Sequence, residues 1–110
     1  MNNDALRRFK AGVFQVLAHP TRIHIVEQLA EGEQSVGTLL KAIPVEQANL
    51  SQHLSLLRSR GLVLTRKEGN VVFYRLRDEM LAEVLQAMRK HFASHLEESL
   101  ALLRTLEAAK

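Results

Sequence analysis

The chain contains no cysteine and no tryptophan, and it has only two prolines and one tyrosine among its 110 residues. Without cysteine it can form no disulfide, no thiolate metal site and no thiol redox sensor. No apolar run approaches the roughly 18 residues of a membrane span, and the amino terminus lacks the basic-then-apolar pattern of a signal peptide. The sequence therefore predicts a soluble, cytoplasmic protein that does not bind membranes.

Recognised catalytic patterns are missing as well. The sequence shows no set of nucleophile, base and orienting group, and no glycine-rich loop that could cradle a phosphate. We therefore predict that the protein is not an enzyme and carries no cofactor. A chain of 110 residues with 46% hydrophobic and 25% charged residues is typical of one globular domain, residues 1–110, with one modest core.

Positive charge is concentrated in the middle third of the chain. The whole sequence carries a formal net charge of +3. Residues 45–75 hold five basic and two acidic side chains and therefore account for a net charge of +3, whereas residues 1–44 carry +1 and residues 76–110 carry −1. A polyanionic partner would meet the protein in this middle third.

The stretch from Pro44 to Gly61 is the most informative part of the chain. At about 100° per residue of an α-helix, Leu50, Leu54 and Leu57 fall within one narrow arc, which should be buried. The opposite arc and its edges carry small or amide side chains: Gln47, Ala48, Asn49, Ser51, Gln52, Ser55 and Ser59. Gly61 can take the left-handed conformation that ends a helix.

This outward face carries almost no charge, whereas a solvated helix face usually carries Lys and Glu. Short hydrogen-bonding side chains suit the major groove of DNA, because bulk or negative charge would keep a helix away from the base edges. Gln and Asn can pair with adenine, and Ser can bind a base or a phosphate. A merely polar surface helix is the alternative that this stretch alone leaves open.

Two further helices are predicted nearer the amino terminus. Residues 3–17 place one apolar stripe along a helix: Leu6, Phe9, Val13 and Val16/Leu17, with Phe14 beside it. Two phenylalanines exceed what a short cap over a core requires, so we favour a subunit contact over simple core packing. The second helix is predicted from Thr21 to Glu31, with the inward residues Ile23, Val26 and Leu29/Ala30. His19 and His24 lack neighbours at ligand spacing and are interpreted as structural or surface residues.

A short helix precedes the central one. Ser35 can cap a helix over residues 36–43, and Pro44 ends it because a residue before proline avoids the α region. Only two or three residues then separate the two helices. Residues 35–60 therefore have the pattern of a helix-turn-helix.

After Gly61 the hydrophobic period changes from about 3.6 to about 2 residues. Two β-rich runs joined by a Glu68-Gly69-Asn70 turn predict a hairpin over residues 62–76. Arg66 and Lys67 lie beside its tip. A basic hairpin directly after a helix-turn-helix is typical of a wing that touches phosphates or the minor groove, and the alternative is a plain hairpin with solvated charges.

The segment from Asp78 to about Leu106 contains neither glycine nor proline, and a large apolar residue recurs every three or four positions. A helix of this length spans about 42 Å, more than the width of a small domain. One small core cannot cover its apolar stripe, so residues 1–17 and 78–106 are predicted to form the interface of a C2 homodimer. The predicted contacts are Phe9, Val13, Leu81, Leu85, Met88 and Phe92.

Three segments together resemble one family. LAHPTRIHIVEQLAEGE (17–33), ANLSQHLSLLRSRGLV (48–63) and VVFYRL (71–76) look like segments of bacterial ArsR/SmtB-type winged-helix repressors. The resemblance covers nearly the whole chain, and Ser51-Gln52-His53-Leu54 and Tyr74-Arg75-Leu76 are its most distinctive parts. It implies a mainly α fold of four helices, a small β-hairpin wing and a fifth helix, dimeric through the first and last helices. It also implies binding to a palindromic operator in double-stranded DNA and release by an effector.

Carried over position by position, the resemblance places the DNA contacts on the central helix and the wing, at Gln47, Asn49, Ser51, Gln52 and His53 and within Arg66 to Asn70, of which Arg66, Lys67 and Asn70 are the predicted contacts. Ser55, on the outward face of the same helix, is predicted as a further contact. The helical wheel supports Ser51 and Gln52 best. It places His53 beside the buried leucines, which predicts partial burial and at most a phosphate contact.

The metal motifs of the family are incomplete in this chain. Where cysteine-type sensors carry a Cys-x-Cys pair, it has Ser35 and Gly37, which cannot bind a soft metal. Other members use ligand pairs on the last helix, and here Asp78-x-Met80 and His91-x-x-Ser94 each lack one ligand.

The remaining candidate ligands on the last helix are His91, His95 and Glu98. His91 and His95 are spaced to lie on one helix face and could hold Zn²⁺ or Ni²⁺. However, two histidines on a long helix are common, and the partner ligands do not line up. We therefore predict no metal site and leave the effector unidentified.

The favoured function is a sequence-specific, DNA-binding transcriptional regulator, a homodimeric repressor acting on an inverted-repeat operator. One alternative is a winged-helix module for protein–protein contact that has lost DNA binding, and another is a Zn²⁺ or Ni²⁺ sensor acting through the last helix. Salt-dependent affinity for duplex DNA separates the favoured function from the interaction module, because phosphate contacts give a steep salt dependence.

Overall fold

The computed structural model describes residues 3–109, in which the elements follow the order predicted for a winged helix-turn-helix, with one strand added. The elements are α1 (Asn3–Leu17), α2 (Pro20–Leu29), β1 (Gln34–Ser35), α3 (Val36–Ala42), α4 (Gln47–Ser59), β2 (Val63–Glu68), β3 (Val71–Leu76) and α5 (Met80–Ala108). The predicted mainly α fold is confirmed. Residues 1 and 2 of the predicted segment 1–17, and residue 110 of the predicted domain, lie outside the described residues.

The chain divides into two compact units. The first unit runs to Glu79 and contains the helix-turn-helix and the wing, whereas the second begins at Met80 and consists of α5. Among the described residues, no helix is both long enough and apolar enough to cross a membrane.

The core of the first unit is formed by α2, α3, α4 and the base of the wing. Its fully buried side chains are Ile25, Val26, Leu39, Ile43, Leu50, Leu54, Leu57 and Val63. The three leucines of α4 confirm the buried arc predicted from the helical wheel. Each such side chain contributes about 1.5–3 kcal/mol through burial of apolar surface, so α4 is held firmly by its inner face.

The inward face of α2 differs from the predicted stripe. Ile25 is fully buried, whereas Ile23 is only half-buried and Ala30 is exposed. The reason is that α2 contacts α1, α3, α4 and β3, so its buried arc is wider than that of a helix packed on one side. Ala30 is the C-cap of α2 and no longer belongs to the helical face.

The start of α3 agrees with the prediction, and its end lies one residue earlier than predicted, at Ala42. The Ser35 hydroxyl accepts a hydrogen bond from the Thr38 amide at 3.1 Å, which confirms it as the N-cap. Ile43, which precedes Pro44, has an extended backbone with φ −116° and ψ 119°. Four residues, 43–46, separate α3 from α4, one or two more than predicted.

Helix α4 ends in a Schellman motif. Gly61 has φ 69°, and its amide donates to the Arg58 carbonyl at 2.9 Å. The Leu62 amide donates to the Leu57 carbonyl at 3.0 Å. This motif turns the chain directly into β2, so the wing follows α4 without a flexible connection.

The sheet has three antiparallel strands in the order β1-β3-β2. The predicted hairpin over residues 62–76 is confirmed as β2 and β3. The prediction omitted β1, whose Gln34 and Ser35 pair with Tyr74 and Phe73. A strand of two residues has no alternation to detect, and it forms because β3 offers it a free edge. β1 attaches the wing to the start of α3.

The turn of the wing is shorter than predicted. Glu68 is the last residue of β2 and pairs with Val71, which leaves Gly69 and Asn70 as a two-residue turn. Gly69 has φ 61°, a conformation that glycine adopts without steric cost and that suits the first position of a tight hairpin turn.

Candidate nucleic-acid interface

Helix α4 presents its predicted DNA-contacting residues to solvent. The exposed members of that set on this helix are Gln47, Asn49, Ser51, Gln52 and Ser55. They are exposed because Leu50, Leu54 and Leu57 fix the opposite arc in the core. The rotation of α4 therefore places its small polar side chains outward.

One apolar residue of α4 was overlooked in the sequence. Leu56 is 43% exposed and lies about 40° around the helix from Gln52. The sequence could have predicted its exposure, because Leu56 is the leucine of this helix that falls outside the buried arc. An exposed aliphatic side chain beside amide side chains can contact a thymine methyl group in the major groove.

Three of the predicted DNA-binding residues meet in one groove. Gln47 and Ser51 of α4 and Asn70 of the wing line it together with the start of α3 and strand β3. Ser35 and Tyr74 also line this groove. Neither was predicted as a site residue, because their place in the groove depends on the pairing of β1 with β3. The described residues that line the groove carry no charge.

The two basic residues of the wing have different surroundings. The guanidinium of Arg66 is bound to Glu33 and Glu68 and lies over the ring of Phe73. Lys67 is exposed, and it makes no side-chain hydrogen bond or ion pair with another described residue. Lys67 is therefore free to meet a phosphate, whereas Arg66 would first have to leave its partners.

His53 is half-buried, as its position beside the buried leucines predicted. Its Nδ1 accepts a hydrogen bond of 3.2 Å from Nε of Arg22, and its ring centroid lies 4.5 Å from that of His19. The Arg22 Nη1 also donates to the Val16 carbonyl at 2.8 Å. Through Arg22, the last turn of α1 is linked to α4.

His19, whose ring lies beside that of His53, also has a structural role. His19 is the N-cap of α2, because its Nδ1 accepts a hydrogen bond of 3.1 Å from the Thr21 amide. Burial lowers the pKa of His53, and the charges of His19 and Arg22 lower it further. The hydrogen bond from Arg22 requires an unprotonated Nδ1, which agrees with this direction.

We expect the stability of the protein to fall in mild acid because of His53. In the unfolded chain its pKa is near the ordinary 6.5 and in the folded chain it is lower. As the pH falls, the unfolded state therefore binds this proton at a higher pH than the folded state does. The stabilising contribution of neutral His53 is complete above pH 6.5 and is lost as the pH falls through the pKa of His53 in the folded protein. Urea unfolding between about pH 5 and pH 8 measures this change.

The control for this prediction is His53→Asn, which keeps a hydrogen-bond acceptor but does not titrate in that range. Its free energy of unfolding should change less with pH than that of the parent. If parent and variant lose stability equally between pH 8 and pH 5, another group is responsible.

The predicted dimer contacts divide into exposed and buried residues within one chain. Phe9 of α1 and Met88 and Phe92 of α5 are 56%, 56% and 61% exposed. Leu85 is half-buried, and Val13 and Leu81 are buried. Val13 and Leu81 therefore have little exposed surface that a second chain could cover, whereas Phe9, Phe92 and Met88 have a large exposed surface.

The candidate metal ligands His91, His95 and Glu98 are exposed on α5. Within residues 3–109, no three His, Asp or Glu side chains converge on a position that could hold a metal ion. The alternative of a Zn²⁺ or Ni²⁺ sensor gains no support from these residues.

Comparison with known proteins identifies the family. A model described as bacterial regulatory protein, arsR family, matches residues 19–65. The chain is 41% identical over 109 residues to the HTH-type transcriptional regulator Rv0081 of Mycobacterium tuberculosis, and the alignment covers 98% of this chain and 96% of that protein. The chain belongs to the ArsR family. The resemblance seen in its sequence is confirmed, and the protein is a transcriptional regulator with a winged helix-turn-helix DNA-binding domain.

Solved ArsR-type structures share the fold of this family member. The crystal structure of Rv0081 matches with a TM-score of 0.77 and 42% identity, covering 86% of this chain and 96% of that one. A solution structure from Mycobacterium bovis, described as a homodimeric winged helix-turn-helix domain of a possible ArsR-family regulator, matches with a TM-score of 0.78 and 31% identity, over 89% and 93%. A biofilm growth-associated repressor of Agrobacterium fabrum is 40% identical over 82 residues, which is 74% of this chain and 70% of that protein.

Proposed function

We propose that this ArsR-family protein is a cytoplasmic, homodimeric repressor that binds an inverted-repeat operator in double-stranded DNA. The groove shared by α4 and the wing is the observation that carries this proposal. Gln47, Ser51 and Asn70 line it with short hydrogen-bonding side chains and without an acidic residue. Such a surface can approach a polyanion and still reach its base edges.

The two parts of this surface have different roles in the proposal. Gln52 and Ser51 of α4 read base edges in the major groove, with Asn49 and Ser55 at the sides. The wing supplies charge through Lys67, which fixes the position of the protein on the phosphate backbone without reading sequence. His53 accepts a hydrogen bond from Arg22, and in the proposal it stabilises the position of α4 rather than reading DNA.

The inverted repeat follows from the symmetry of the proposed dimer. A C2 pair presents two α4 helices in opposite directions, so each should enter the major groove of one half-site. Half-sites about one helical turn apart, roughly 34–36 Å, are the usual spacing for such dimers. The exposed phenylalanines of α1 and α5 are the proposed contacts that set this spacing.

The proposal is tested by comparing Gln52→Ala with Lys67→Ala. Loss of the Gln52 amide should weaken binding to the operator by about 1–3 kcal/mol and leave binding to a scrambled duplex nearly unchanged. Loss of the Lys67 charge should weaken both by similar factors and reduce the salt slope by about one. Titrations against both duplexes at several salt concentrations measure these effects, with an operator identified as an inverted repeat beside the coding region.

Gln86→Ala is the matched control, because it makes the same change at an exposed position of α5. It should bind both duplexes as the parent does. If Gln52→Ala lowers both affinities equally, α4 does not read sequence. A parent protein without salt-dependent affinity for any duplex would instead be an interaction module.

A further inference from the structure

The side chain of Arg66 crosses the whole sheet. Arg66 belongs to β2 and pairs with Phe73 of β3, which in turn pairs with Ser35 of β1. Glu33 immediately precedes β1. By reaching Glu33, the side chain of Arg66 extends from the edge strand β2 across the central strand β3 to the residue that precedes the other edge strand, β1.

Most of the guanidinium of Arg66 is occupied in this arrangement. Nε and Nη2 lie 2.8 Å and 2.7 Å from Oε1 of Glu33, and Nη1 lies 2.7 Å from Oε2 of Glu68. The central carbon lies 4.4 Å from the centroid of the Phe73 ring. One planar group thus makes two ion pairs and a cation–π contact, which the compact ammonium of lysine cannot reproduce.

These contacts matter because the backbone pairing between the wing and the strand that precedes α3 is short. β1 and β3 share only two residue pairs, whereas β2 and β3 share six. Strand β2 is therefore held firmly to β3 by backbone pairing, whereas the Arg66 side chain links β2 to Glu33, in the segment before α3. The hydrogen bond from Arg66 lowers the pKa of Glu33, and the charges of Arg66 and Arg75 act in the same direction.

We propose that Arg66 is a positioning residue that fixes the wing against the segment before α3, and that it does not itself bind DNA. The inference rests on the proposed DNA binding and assigns the phosphate contact of the wing to Lys67 alone. It changes the role that the family resemblance implied for Arg66. Its two carboxylate partners occupy Nε, Nη1 and Nη2 of the guanidinium and offset its charge, so Arg66 is a poor phosphate site.

Two variants test this inference. Arg66→Lys keeps the charge and loses the planar fork. Arg66→Met combined with Glu33→Gln removes one charge of each sign and so preserves the net charge. In the DNA-free protein, both should accelerate amide hydrogen exchange in β2 and β3. Both should lower operator affinity by about threefold to fivefold while leaving the salt slope unchanged, in contrast to the decrease of about one expected for Lys67→Ala.

Arg104→Lys on α5 is the matched control and should leave exchange in the wing and operator affinity at parent values. The inference is overturned if Arg66→Lys matches the parent in exchange and affinity. It is also overturned if the charge-balanced double variant lowers the salt slope by about one, since Arg66 would then bind phosphate. Because exchange is measured without DNA, it tests the wing even if the parent binds no duplex, an outcome that would reject the proposed function separately.

Discussion

Replacing Phe92 with glutamate is expected to convert the proposed dimer into monomers or aggregates. Phe92 is 61% exposed on α5 and lies in one stripe with Met88 and Leu96, which are also exposed. In the proposed dimer this stripe is covered by the second chain, so an unpaired carboxylate there would lose its hydration. The cost is several kcal/mol, enough to dissociate a dimer at micromolar concentration. Sedimentation of parent and variant measures the result.

Ser94→Glu is the control for this change. It adds the same charge at an exposed position of α5, about 160° around the helix from Phe92. It should sediment as the parent does. A parent that is monomeric at micromolar concentration would reject the proposed interface, and dissociation of both variants would show that charge alone is responsible.

Leu54→Ala is expected to lower the free energy of unfolding by about 2–5 kcal/mol, because it leaves a cavity in a closely packed core. Leu54 is 1% exposed and lies on the inner face of α4. The loss is large relative to the roughly 5–15 kcal/mol that stabilise a typical domain. Urea unfolding monitored by circular dichroism measures it.

Leu56 provides a matched control two residues away in the same helix. It is 43% exposed, so Leu56→Ala should change the free energy of unfolding by about 0.5 kcal/mol or less. All proteins should be unfolded at one concentration, because the stability of a dimer depends on concentration. Equal losses in the two variants would mean that the orientation of α4 differs from the one described here.

The helices could be predicted closely from the sequence because their apolar spacing reports directly on burial. The bounds predicted for α1 agree with the structure, and Ser35, Pro44 and Gly61 mark helix ends through local chemistry that needs no tertiary contact. The outward face of α4 was predictable for the same reason. Once the buried arc of a helix is known, the opposite arc follows from its geometry.

The features that were missed depend on contacts between distant parts of the chain. β1 exists only because β3 lies beside it, and Ile25 is buried only because α2 is packed on several sides. The partners of Arg66 and His53 are Glu33 and Arg22, which lie 33 and 31 residues away in sequence. No periodicity reports such pairs, because each requires the register of the sheet or the packing of two helices.

The double role of Ser35 limits how the length of this chain can vary in evolution. Ser35 pairs with Phe73 as the last residue of β1, and its hydroxyl caps α3. No spare residue lies between strand and helix, so one inserted residue would separate the two roles or turn the side chains of β1 to the opposite face. Two residues added at the turn of Gly69 and Asn70 would only lengthen the hairpin. Insertions should therefore be tolerated at the tip of the wing and selected against just before the helix-turn-helix.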